Sequence, residues 1–258
     1  MREGGAVSGG LSALLGWTLS RSMALSAEPG GVACEVSMAG VPGWQDFLSC
    51  YKEHFEVVRA STPSLLDQVY RLRYQVYCVE NDYEDPGRQA EGRETDIYDD
   101  RSVHALLIHR HSDAVAGTVR VILPGKDREP PLPINLVADC DQRERLQRLP
   151  HSRTAEISRF AVSKEFRQRC TEAEDRRLLR HITIGLIRGA LEICRDEEIH
   201  YGCAVMERSL IRLLGRLGFV FEHIGGLIEY HGARQPCVAS VNQIASTAEG
   251  SFWWRHAG

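Results

Sequence analysis

The run Glu156-Ile157-Ser158-Arg159-Phe160-Ala161-Val162 constrains this chain more than any other stretch. Its apolar positions are mostly β-branched or aromatic, which predicts a strand. A buried strand rarely carries a carboxylate and a guanidinium without giving each a partner or a task. In a flat strand, residues three apart face opposite sides of the sheet. For Glu156 and Arg159 to share a site, the strand must be bulged between them. A bulge adds one residue, re-aims a side chain and leaves a backbone N–H unpaired. A free N–H beside a carboxylate suits acyl transfer, since the N–H holds a thioester carbonyl while the carboxylate manages a proton. The competing reading is an ordinary strand with a surface ion pair.

The chain has 258 residues, 43% of them hydrophobic and 26% charged, so it can bury a substantial core. A net charge of −4 gives no global case for nucleic acid. The eight cysteines never fall as Cys-x-x-Cys, which favours a reduced, cytoplasmic setting over a disulfide framework. His109-x-His111 could ligate a metal, but no Cys or carboxylate ligand is evident nearby, and no metal site is expected. Residues 1–45 are rich in Gly, Ser and Ala and read as a disordered extension ahead of a domain over 46–258. The apolar run Leu11–Leu19 is too short to span a bilayer and lacks a clear signal cleavage site. Met23 and Met38 could each start the protein.

Order is expected from about Phe47. His54–Ala60 reads as a first strand. Thr62-Pro63 opens a helix in which Leu66, Val69, Tyr70, Arg73 and Tyr77 share a face. Residues 80–101 read as a long acidic loop, whose default is a solvated surface. Glu94-x-Asp96-x-x-Asp99 is more ordered than a random acidic run and could line a cleft mouth. A hairpin follows, Ser102–His109 and Ala114–Leu123, turning at Ser112-Asp113, and the strand residue Arg120 needs an anionic partner. After the Thr154–Val162 strand comes the basic segment Lys164, Arg167, Arg169. A long amphipathic helix from Asp175 follows, with Leu178, Ile182, Leu186, Ala190 and Cys194 stepping along one face. Then come a strand at Ile199–Val205, a helix at Glu207–Leu217 stopped by Gly218, and short strands at Phe219–His223 and Leu227–Tyr230. His231–Cys237 reads as a polar loop or turn.

This order of elements is that of the GNAT (N-acetyltransferase) fold, an α/β (α+β) architecture with a mixed, mostly antiparallel central sheet flanked by helices. Leu72-Arg73-x-x-x-Tyr77, Glu94-x-Asp96-x-x-Asp99, Gly117-x-x-Arg120 and Glu156-x-Ser158-Arg159-Phe160 occur in sequence. Together they resemble the pattern of acyl-homoserine-lactone (autoinducer) synthases, from about Val69 to Phe219. Arg73-Tyr-Gln-Val-Tyr-Cys-Val-Glu80 and His231-Gly-Ala-Arg-Gln-Pro-Cys237 bring the chain closer to acyltransferases associated with PEP-CTERM/exosortase systems, which are similar to long-chain N-acyl amino acid synthases.

The resemblance implies a charged cluster of Arg73, Asp96, Asp99, Arg120, Glu156 and Arg159 around an amine-acceptor site, with Ser158 and Phe160 in the same motif. Tyr77 stands where the lactone synthases carry a Phe and Tyr83 where a Trp is usual, so S-adenosylmethionine is not assumed as acceptor. The Gly-rich pyrophosphate loop of coenzyme-A-dependent members is absent after Val162, and Lys164, Arg167 and Arg169 stand there instead. That fits an acyl-carrier protein as partner and its acyl-phosphopantetheine as donor, with no other cofactor bound. Glu156 is the expected base, with Glu94 and Asp96 as alternates. A strand N–H near Phe160 is the expected oxyanion donor. Arg73, Arg120 and Arg159 would hold the carboxylates or bind the acceptor's own carboxylate. Three readings stay open: an N-acyl amino acid synthase, a homoserine-lactone synthase, and a non-catalytic carrier-protein- or lipid-binding module.

Overall fold

The computed structural model describes residues 51–126, 129–169 and 173–244, with only the backbone described over 173–180. The Gly/Ser/Ala-rich extension, the Leu11–Leu19 run, both internal methionines, the onset of order at Phe47 and the side chain of Leu178 lie outside the described residues.

Strand β1 (Phe55–Arg59) leads into helix α1 (Pro63–Tyr74). Thr62 caps that helix by accepting from the Leu65 N–H at 3.3 Å, and Pro63 occupies the first turn, where its missing N–H costs nothing. The helix widens into a π turn over Gln75–Glu80, and 3-10 turns carry the chain to β2 (Ser102–His109). Strand β3 (Ala114–Ile122) returns antiparallel to β2 through a turn with Asp113 at φ 52°. Two short helices, α2 (Ile134–Val137) and α3 (Cys140–Gln147), precede β4 (Thr154–Val162). Asp139 and Gln142 close α3 with a reciprocal capping box.

The basic segment is a helix, α4 (Lys164–Arg169). Helix α5 (Ala173–Asp196), strand β5 (Tyr201–Met206) and helix α6 (Arg208–Arg216) follow. Gly218 at φ +86° ends α6, as the sequence predicts. The chain finishes with β6 (Glu222–His223), β7 (Ile228–Glu229) and β8 (Ala233–Ser240). The predicted polar loop at His231–Cys237 is therefore mostly strand. A Pro and two charged or amide residues disguise it, but Gln235, Pro236 and Cys237 are buried against β5.

The sheet runs β1-β2-β3-β4-β5-β8-β6, with β7 paired to β8. Every pairing is antiparallel except β4 with β5. Helix α5 covers one face, where Ile182, Leu186 and Ala190 meet Leu107, Ala116 and Val119 in the main core. Its glycines let it lie close: a Cβ on Gly189 would stand 2.8 Å from the Ala105 Cβ. Among the described residues no helix is long and apolar enough to cross a membrane.

The parallel pairing between β4 and β5 is short. It joins Thr154 to Tyr201, Ala155 to Gly202 and Glu156 to Cys203, and then stops. From Ile157 onward β4 keeps only β3 as a partner, while β5 continues along β8. The sheet therefore splits immediately after Glu156, and β4 presents an open edge towards the split. Its register with β3 also slips, because Ser158 faces Arg120 and Ala161 faces Thr118, so two residues oppose Val119 alone. The bulged residue Arg159 sits at φ 48°, in the left-handed region.

Candidate active site

The bulge turns Arg159 to the side of the sheet that carries Arg120 and Ser158. Arg120 donates from Nε to the Ser158 hydroxyl at 3.0 Å and from Nη1 to Asp96 and Asp99 at 2.6 and 2.9 Å. Arg159 reaches the same Asp96 at 3.2 Å, Glu94 at 2.8 Å and Glu84 at 2.9 Å. Arg73, fully buried on α1, bridges Glu94 at 2.5 Å and Asp99 at 2.6 Å. Three guanidiniums thus interlock with four carboxylates, and the spaced acidic motif is what they grip. The Glu94–Asp99 motif is not part of a solvated charge run: Glu94 is 1% exposed, while Asp82, Asp85, Glu91 and Asp100 around it are exposed. The arginines hold Glu94 and Asp99 below the usual carboxylate range against the opposing effect of burial.

Glu156 stands apart from this network. It does not pair with Arg159, the partner its spacing suggested, because the bulge commits that arginine to the acidic loop. Its carboxylate accepts from the Ile134 N–H at the start of α2, at 2.7 Å. Burial pushes its pKa up to about 7, against the lowering pull of that N–H and of Arg120 and Arg159. It is 4% exposed, at the point where β4 leaves β5. A carboxyl poised near neutrality can take up and release a proton at physiological pH.

Aromatic rings wall the cluster. The Arg159 guanidinium lies 5.0 Å from the Tyr77 ring centroid, and Tyr83 packs edge-on to Tyr77 at 6.0 Å. Phe160 is half-buried and packs against the main core, so it does not join the charged side.

Two contributors escaped the sequence reading. His104 faces Arg120 across the β2–β3 register, with Nε2 3.5 Å from Asp99. Burial and Arg73 push it down to about 4, so it sits neutral in the cluster. A histidine inside the apolar run Val103–Ile108 was the available signal. The second is the β7–β8 turn. His231 packs on Tyr83 at 5.3 Å, and Arg234 lies 5.5 Å from that ring while pairing with Glu207 at 2.7 Å. Cys237, a conceivable nucleophile, is fully buried with its thiol pushed up to about 12.

Lys164, Arg167 and Arg169 lie on α4, directly after β4, with Phe166 of the same helix packed on Phe55 and His109. Lys164 and Arg169 are exposed, Arg167 is half-buried, and Arg169 pairs with Glu165.

Residues 72–173 match the family model described as the acetyltransferase (GNAT) domain, and the mixed sheet with its flanking helices is the GNAT fold. No curated protein matches the sequence. Among solved structures, the acyl-homoserine-lactone synthase LasI is similar with a TM-score of 0.56 and 16% identity over 77% of this chain and 95% of LasI. FeeM, an N-acyl amino acid synthase from uncultured soil microbes, is similar with a TM-score of 0.53 and 16% identity over 75% and 93%. BjaI, a CoA-dependent acyl-homoserine-lactone synthase, is similar with a TM-score of 0.51 and 21% identity over 76% and 88%. At such identities the likeness is one of fold.

Proposed function

We propose that the protein is an N-acyltransferase that moves a fatty acyl group from an acyl-carrier-protein thioester to the amine of an amino acid or related metabolite. The observation that carries this reading is Glu156: a carboxyl with a pKa of about 7, buried where the sheet splits and beside a bulged strand. An α-amine with a pKa of about 8 must shed a proton before it attacks a thioester. Glu156 accepts that proton, directly or through water. The nitrogen then forms a bond to the thioester carbon, the carbon–sulfur bond breaks, and the proton the nitrogen sheds on becoming an amide passes to the leaving sulfur, which departs as the pantetheine thiol.

The open edge of β4 offers backbone N–H groups to the carbonyl oxygen as it gains charge, near Phe160. A thioester arm entering beside α4 runs along that edge towards Glu156. Glu94 and Asp96 are the alternates on this reading, each already engaged in an ion pair with arginine. Arg73, Arg120 and Arg159 are committed to loop carboxylates, so their part is to fix the wall of the acceptor site. Arg159, the most accessible of the three, is the one placed to meet an acceptor carboxylate. Tyr77, Tyr83, Asp99 and Ser158 complete that wall. Transfer is direct, since no buried cysteine among the described residues has a lowered pKa.

An amino acid acceptor is favoured over the lactone route by Tyr77 and Tyr83 and by the sequence resemblance to PEP-CTERM/exosortase-associated acyltransferases. The test is mass spectrometry of organic extracts from cells expressing the chain, repeated with Glu156→Gln. New acyl amino acids that vanish with the substitution support the proposal. A lactone moves the chain to the synthase reading, and unchanged lipids to a non-catalytic binding module.

A further inference from the structure

We infer that His54, His109 and His111 form a binding site for a first-row divalent cation of the zinc class, separate from the acyltransferase cleft. His109 ends β2, five residues beyond His104, which places it about 17 Å along the strand from the charged cluster. The sequence supplies His109-x-His111 and no obvious third ligand. The fold supplies it: the residue paired with His109 is Phe55, and the Arg110 N–H donates to the His54 carbonyl at 2.8 Å. That contact brings the residue just before β1 against the β2–β3 turn holding His111.

The three rings converge. Their centroids are 5.3 Å apart for His54 and His111, 5.5 Å for His109 and His111, and 6.2 Å for His54 and His109. One ligating nitrogen from each lies within 4.8 Å of the others. Zinc binds imidazole nitrogen at about 2.0–2.1 Å, so three nitrogens around one tetrahedral ion stand about 3.4 Å apart. Closing the cluster needs each nitrogen to move inward by about 1 Å, a small side-chain rotation at exposed His111 and at half-buried His54 and His109.

The surroundings are built for holding rings in place. Ser112 Oγ lies 2.9 Å from His109 Nδ1, and by accepting from Nδ1–H it would present Nε2 as the ligand. Phe55 and Phe166 pack on the His109 ring at 5.5 and 5.3 Å. Arg110, between the two histidines in sequence, is turned to Glu56 at 3.0 Å and to the Lys52 and Phe55 carbonyls. Three imidazoles without a carboxylate or thiolate select zinc, copper or nickel over magnesium or calcium. A fourth position is left for water or a second ligand. Bound there, the ion ties the chain before β1 to the β2–β3 turn.

The test uses the tag-free full chain, stripped of metal and titrated with Zn²⁺ against a chromogenic chelator, with Co²⁺ as a spectroscopic probe. The expected result is one equivalent of Zn²⁺, a rise in melting temperature, and tetrahedral Co²⁺ absorption without a thiolate charge-transfer band. His54→Ala and His111→Ala should each weaken binding about 10-fold or more and abolish the zinc-dependent rise in melting temperature. His111 is exposed, so its variant should melt like the metal-free parent. Undiminished binding in the double variant, or a thiolate band, would place the metal elsewhere and overturn the site. Absence of zinc binding by the folded parent would reduce the cluster to stacked rings.

Discussion

At the scale of single residues, Glu156 and Arg73 make opposite predictions. Glu156→Gln keeps the shape and the acceptor for the Ile134 N–H while removing the power to take a proton. Turnover should fall about 100-fold or more, and the loss should shrink at high pH, where the amine deprotonates unaided. The stability sign is also fixed. The folded pKa of about 7 lies above the ordinary value of 4.5, so the folded state holds this proton more tightly than the unfolded chain. The contribution of Glu156 to stability is therefore full below pH 4.5 and is lost as pH rises through 7, by about 3 kcal/mol at most. Glu156→Gln should lack that decline, which denaturant melts at pH 5 and pH 8 will read. A mutant with parental turnover would move the base to Glu94 or Asp96. Arg73→Ala removes the cation between two buried carboxylates, and should cost about 3–5 kcal/mol because Glu94 and Asp99 are left with less compensation. Loss of activity there should track loss of folded protein, a pattern Glu156→Gln should not show.

At the scale of elements, the packing of α5 on β2 gives a test of its own. Alanine is about 1 kcal/mol better than glycine in a helix interior. At Gly189, however, the added Cβ would meet the Ala105 Cβ at 2.8 Å, an atom fixed to a central strand that cannot rotate away. Gly189→Ala should therefore lower stability by about 1–3 kcal/mol, seen as a lower melting temperature. Unchanged or raised stability would mean the helix can lift without loss. Elements set by local rules were legible in the sequence. Thr62-Pro63 starts α1, Gly218 ends α6, and the alternating hairpin forms β2 and β3. The bulge was legible only as a condition for Glu156 and Arg159 to share a site; it forms, but it carries Arg159 to the acidic loop and not to Glu156. The pairing of Arg159 was not, since its carboxylates lie more than sixty residues away and only the fold brings them close. Strand β8 was missed because its burial comes from β5, which masks the polar look of Arg234-Gln235-Pro236. His104 and His54 were overlooked for the same reason: each gains meaning from a cross-strand neighbour.

At the scale of the whole molecule, the charge distribution bears on the donor. The chain carries −4 overall, a poor match for an acidic carrier protein. Helix α4 reverses that sign locally, with Lys164, Arg167 and Arg169 against the single carboxylate of Glu165. It also follows directly on β4, the strand along whose edge the proposed pantetheine arm would lie. A basic patch at the mouth chiefly steers encounter and registers the partner, and adds less to the chemical step. Lys164→Glu with Arg169→Glu, both at exposed positions, should raise KM for acyl-carrier protein and leave kcat little changed. Parental KM should rise steeply with salt, because exposed charges are screened beyond about 8 Å at physiological ionic strength. The double variant should lose most of that salt dependence. Acyl-coenzyme A decides the donor. If it serves the parent as well as the carrier protein does, and charge reversal leaves KM untouched, then α4 is an ordinary solvated helix. The donor would then be a coenzyme-A thioester, held by the β4 edge without help from a protein partner.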